Sequence, residues 1–200
     1  MPARQFPQSI VTKGGYGCIK TLGDYKYGGQ WVEFFQAFHN PALGVVDYVV
    51  TVVALNQNSS KTCTLAHDLS ALHPRNVTVI ASAAATSVVT ITGYDQWGKA
   101  ATEALTLNGT NSVAGSKIFS KVTSVVADKY IDGAANIRVG SGNKLGLLRK
   151  CLPVGAWGTF GGVLEATPPT LDATNHSVLL TSSLDGAHDV VVHFWSSDVV

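Results

Sequence analysis

From Val45 to Trp195, short apolar runs recur with glycine, asparagine and aspartate between them, a pattern that predicts strands joined by turns. GVVDYVVTVVAL is apolar on both parities, with Val46, Tyr48, Val50 and Val52 on one face and Val45, Val49, Val53 and Leu55 on the other. That predicts a central strand buried on two sides. NVTVIAS and SVVTITG are rich in β-branched residues, and Val89 and Ile91 alternate with Thr90 and Thr92, as expected where one face meets water. YDQWGK carries Asp95 and Gly98, suited to a turn leading into ATEALTL, whose Leu105 and Leu107 point inward. Asn108-Gly109 and Asp132-Gly133 are turn dipeptides, and Gly140, Gly142 and Gly146 read as a turn between NIRV and KLGLL. HDVVVHFW closes the pattern as a strand at a sheet edge or subunit contact, with Val190, Val192 and Phe194 on one face and Asp189, Val191, His193 and Trp195 on the other.

The start of the chain has a different texture. Gly14, Gly15, Gly17, Gly23, Gly28 and Gly29 are separated by Tyr16, Tyr25, Tyr27 and Trp31. Glycine permits tight bends and the aromatics can anchor them on a neighbouring surface, so residues 1–30 are expected to be an extended arm. In QWVEFFQAFHN, Trp31, Phe34, Phe35 and Phe38 fall at i, i+3, i+4 and i+7, and Asn40-Pro41 supplies a stop; this predicts a short helix over 30–40. The expected organisation is an arm with a short aromatic helix over 1–44, and a single antiparallel β-sandwich or jelly-roll domain over 45–200. The fold class is all-β.

Two hundred residues suit one such domain. Charged residues make up 14% of the chain, well below the usual ~25%, which suggests that part of the surface meets protein and not water. The formal net charge is +1, with no basic run and no acidic tail, so nothing favours nucleic acid or a membrane surface as partner. The N-terminal residues lack the apolar segment of a secretion signal, and no run approaches the length of a membrane-spanning helix; a soluble chain made in the cytoplasm is expected. Cys18, Cys63 and Cys151 form no metal or disulfide framework and fit a reducing compartment.

Candidate chemistry is sparse. His188 and His193 are five apart and would lie on opposite faces of a strand, which does not suit shared metal ligation. His67, Asp68 and His73 have no GxSxG serine to serve, and Glu33, Glu103 and Glu165 form no glycosidase pair by spacing. VGSGNKLG lacks the phosphate-loop arrangement. No catalytic residue, cofactor or metal is expected. Trp97, in a hairpin loop where its own chain buries it poorly, is the best single candidate for contact with another molecule.

The segments TGYDQWGKAATEALTLNGT, FSKVTSVV and IRVGSGNKLGLL together resemble the cement and decoration proteins of tailed-bacteriophage capsids, across roughly residues 88 to 150. Gly93, Asp95, Gly98, Glu103, Gly140, Gly142, Leu145 and Gly146 match as fold determinants. The resemblance implies a homo-oligomer, dimer or trimer, on the capsid exterior of the virion, gripping neighbouring subunits of the major capsid protein through arms and loops. Contact residues on that reading are Tyr16, Tyr25, Tyr27, Trp31 and Phe35 in the arm and Trp97 in the loop. The same hairpin style occurs in tail and adaptor components. A carbohydrate-binding host-attachment module, using loop aromatics on a similar sandwich, is the alternative from another class.

Overall fold

A computed structural model describes residues 16–19, 32–56, 58–129 and 135–196. The fold is all-β and antiparallel, and among the described residues there is no helix. The chain groups into two compact units, one made of the residues up to Pro41 with Leu147 onward, the other of Ala42–Gly146. The divisions thus fall at residues 41/42 and 146/147, where the sequence pattern drew one break near residue 44.

In chain order the first unit contributes β1 (Tyr16–Ile19) and β2 (Val32–Phe38). The stretch expected to be a helix is therefore a strand. Phe34, Gln36 and Phe38 are buried while Glu33 and Phe35 are half-buried and Ala37 is exposed, an alternation of period two. Phe34 and Phe38 satisfy both periods, and the choice is made by β15, which pairs with β2 along its whole length. Asn40, at φ 43°, ends the strand where the stop was expected. Within the segment expected to be an extended arm, Tyr16–Ile19 is a strand that pairs with β2 from Tyr16↔Gln36 to Ile19↔Glu33.

The second unit runs β3 (Val50–Ala54), β4 (Lys61–Cys63), β5 (Arg75–Ala81), β6 (Val88–Tyr94), β7 (Ala100–Thr106), β8 (Val113–Ala114), β9 (Lys121–Ala127) and β10 (Asn136–Gly146). It is an antiparallel sandwich. One layer has β10 between β3 and β5, with β8 on the far side of β5; the other has the order β4-β9-β6-β7. Val77, Val79, Ile137 and Val139 from the first layer and Val89, Ile91, Leu105, Val122 and Val125 from the second share one buried cluster. Burying apolar side chains from both inner faces is the dominant stabilising term in such a core.

Two expectations fail in this unit. GVVDYVVTVVAL is not a central strand: only Val50–Ala54 is extended, it pairs with β10 alone, and Val52 is 50% exposed. Nor is 139–146 a turn, because it lies inside the eleven-residue β10, with a register shift between Ser141 and Leu145. Its glycines answer a different need. The backbone of Val45 and Val46 lies where a Cβ at Gly140 would be, and Asn76 fills that place at Gly142. Val45 exchanges bonds with Ser141, receiving the Ser141 N–H at 2.9 Å and donating its own N–H to Ser141 Oγ at 3.0 Å.

Arg75, fully buried, ties the same strap down. Its Nη1 donates to the carbonyls of Ala42 at 3.0 Å and Gly142 at 3.4 Å, and its Nε to that of His73 at 3.3 Å. Burial lowers its pKa, with Tyr48 opposing.

The first unit resumes with β11 (Trp157–Phe160), β12 (Val163–Leu164), β13 (Thr170–Asp172), β14 (Ser177–Leu179) and β15 (Val190–Ser196). Its five-stranded sheet has the order β1-β2-β15-β11-β12, and β13 and β14 pair antiparallel. Val190, Val192 and Phe194 are buried while Val191, His193 and Trp195 are half-buried, the two faces expected of HDVVVHFW.

Candidate interaction surfaces

The β6–β7 hairpin builds the Trp97 loop by a local device. Asp95 Oδ1 accepts the backbone N–H of Trp97 at 2.8 Å and of Lys99 at 2.9 Å, an Asx-turn that leaves the indole at the tip. Gly98 closes the turn at φ 78°, a left-handed conformation, with its N–H on the Asp95 carbonyl at 3.1 Å. Ser120 Oγ donates to that same carbonyl at 2.6 Å, fixing the hairpin to the loop before β9. Trp97 is 40% exposed and neighbouring Tyr94 is exposed as well. In the middle of β7, buried Glu103 has a structural duty: its Oε1 accepts from Ser116 N at 2.7 Å, Ser116 Oγ at 3.0 Å and Lys117 N at 3.2 Å.

The sheet of the first unit carries a second surface. Register places Phe35 opposite His193 and His193 opposite Trp157, so three rings cross β2, β15 and β11 on one face. His193 and Trp157 stack with centroids 3.5 Å apart and planes 11° apart; Phe35 tilts against His193 at 5.7 Å and 33°. Glu33 Oε1 lies 3.5 Å from His193 Nδ1, which is buried and has no hydrogen-bond partner. Burial lowers the histidine pKa, and Glu33 works against that. Beyond Trp157 lies the edge strand β12, where Val163 is 71% and Leu164 62% exposed; Trp157 itself is 44% exposed. No charged residue or proline sits in β12 to blunt this edge.

The remaining titratable side chains sit in local pairs. Cys151 is buried, with Sγ 3.5 Å from the Asp172 carbonyl and 3.9 Å from His176 Nδ1, and burial pushes its thiol up to about 11. A nucleophilic cysteine needs the opposite shift. His67 stacks on Tyr48 at 4.7 Å beside an open depression of about 300 Å³. Asp68 accepts from Ser70, and those bonds lead in lowering its pKa. His188 binds Asp185 at 2.6 Å and His39 binds Asp189 at 2.7 Å, both pairs exposed. The Ala187 N–H, then His188, hold the Asp185 carboxyl down at about 2. Among the described residues, no group of three histidine, cysteine, aspartate or glutamate side chains could hold a metal ion.

Of the contact residues expected from the sequence, Trp97 stands at the hairpin tip and Phe35 lies half-buried in the aromatic row. Tyr16 opens β1. Tyr25, Tyr27 and Trp31 lie outside the described residues. Sequence reasoning missed Val163 and Leu164 and did not single out Trp157 from the other tryptophans. The signal was present in WGTFGGVL, two short runs around the pair Gly161-Gly162, which is a hairpin pattern. The chain matches no protein-family model and no curated protein.

Proposed function

We propose that this chain is a phage virion structural protein that binds the outer capsid surface and cements neighbouring subunits of the major capsid protein. The observation that carries the reading is the aliphatic edge hairpin, with Val163 and Leu164 more than half exposed beside Trp157. Exposed apolar groups on a sheet edge cost free energy in water and gain it against a protein partner. The low charge of the chain, 14% of residues, supports the same reading. So does an all-β body whose Trp97 loop is held rigid by Asp95, because a preorganised anchor loses little entropy on docking.

Cementing on these terms is mechanical. Each copy, itself part of a dimer or trimer, buries aromatic and aliphatic surface across a seam, and repetition around the shell multiplies a modest pairwise energy. A glycan-binding role would use open aromatic faces, and Trp157 has one ring face against His193. The test is to titrate the purified chain into shells lacking it, beside the Val163→Lys and Trp97→Ala variants. Saturable binding that each substitution weakens supports the proposal; a tail component or an immobilised glycan captured in place of shells overturns it.

A further inference from the structure

The outer face of the β4-β9-β6-β7 sheet is built from short, uncharged side chains. Register sets Thr62, Val126, Thr90 and Ala104 in one row across the four strands, and Ser124, Thr92 and Thr102 in the next. Neither row holds a charge. Their neighbours along the strands, Val89, Ile91, Leu105 and Val125, point into the core, while Thr62, Thr102 and Ala104 are exposed. Lys121 stands at one end, opposite Tyr94 in register, with Asp68 3.5 Å away. A sheet face left to water ordinarily mixes charged with polar side chains. Strand propensity accounts for the threonines, but not for the exposed Ala104, a poor strand former.

The β7 edge of this sheet is blocked against strand addition. Lys117 Nζ takes the Thr102 carbonyl at 2.7 Å, and buried Glu103 turns its carboxylate inward. Both devices oppose pairing with another chain, which leaves the face as the means of contact. What suits that face is a surface like itself. A hydroxyl donates one hydrogen bond and accepts two, so a threonine row complements a second threonine row, as no row of lysines or carboxylates does. Within one copy, Thr102 Oγ1 already approaches Thr92 Oγ1 at 3.5 Å. A two-fold axis sets the same patch against itself, where like charges would repel and hydroxyls, methyls and Ala104 do not.

We propose that this face is a two-fold contact between two copies of the chain. Four strands about 4.8 Å apart and seven residues rising about 3.4 Å each give it roughly 450 Å² per copy. About 900 Å² over both copies lies below the ~1,200 Å² of stable complexes, so the dimer is weak and forms with rising concentration. The contact needs no capsid and stands or fails separately from the cementing role.

The test is sedimentation equilibrium of the full chain from about 1 µM to about 1 mM, with Ala104→Lys and Ala104→Glu beside it. The wild type is expected to pass from monomer to dimer in that range. Each substitution alone should weaken the dimer by about tenfold or more, because the two-fold doubles the like charge. An equal mixture of the two variants should regain it, which misfolded variants could not do. A wild type that stays monomeric or forms a trimer overturns the proposal. So does a dimer that both substitutions leave unchanged, or a mixture that stays dissociated. A monomeric chain whose binding to shells is weakened by Ala104→Lys overturns it too, since the face then belongs to the capsid protein.

Discussion

The carbonyl oxygen of Val45 occupies the space that a side chain at Gly140 would fill. Backbone meets backbone there, so no rotamer change relieves an added methyl. Gly140→Ala is expected to lower stability by about 1–3 kcal/mol through overpacking, read as a lower denaturant midpoint. At Gly98, with φ 78° and nothing within 4 Å of a built Cβ, alanine meets only the left-handed backbone penalty of about 1–2 kcal/mol.

Asp95 and Trp97 separate folding from contact at the hairpin tip. Asp95→Ala removes the acceptor of two backbone amides and is expected to lower stability by about 1–2 kcal/mol. Trp97→Ala deletes a 40% exposed ring and should leave stability within about 0.5 kcal/mol. On the proposed cementing role its effect falls on binding, and loss of this aromatic is expected to weaken shell affinity by about tenfold or more. Paired melting and binding curves on the two variants check the split.

Lysine at Val163 or Leu164 charges an edge that is 71% and 62% exposed. Such a change is expected to move the fold's stability by no more than about 0.5 kcal/mol. Association through the edge should fall sharply, because a charge on an edge strand opposes pairing and apolar burial alike. Light scattering against concentration, with wild type alongside, reads the difference.

Acid should weaken the fold in two windows. Burial holds His193 below its ordinary value, so between that folded value and ~6.5 the unfolded chain binds more protons. Its contribution is complete above the ordinary histidine range and is lost as pH falls through the folded value. Bonds from Ser70 to Asp68, from Asn40 N–H to Asp189 and from Ala187 N–H to Asp185 hold these carboxyls below the usual range, Asp185 at about 2. Their contributions persist to lower pH and disappear as pH falls through each depressed value. Urea midpoints measured down the pH scale should fall in both windows, and His193→Gln should abolish the first.

Much of the sandwich was legible because its strands carry their own signals. NVTVIAS, SVVTITG and ATEALTL became β5, β6 and β7, with Leu105 and Leu107 buried, since alternation and turn residues agreed locally. The failures lie where distant partners decide. Phe34 and Phe38 fit a helix and a strand equally, and β15, some 150 residues on, selects the strand. Gly140 and Gly142 look like turn residues, yet glycine is needed there for the close approach of Val45–Val46 and Asn76, which a linear pattern does not encode. At the surface, Trp97 stood out by its turn. Trp157 did not, because its importance comes from His193 across the sheet and from the β12 edge beside it.

The central claim is tested most directly by sedimenting the purified chain with matching capsids stripped of it and following the melting temperature of the shell. Saturable binding with a raised shell melting temperature is the predicted result. A chain that stays in the supernatant, or binds without altering the melting of the shell, would contradict it.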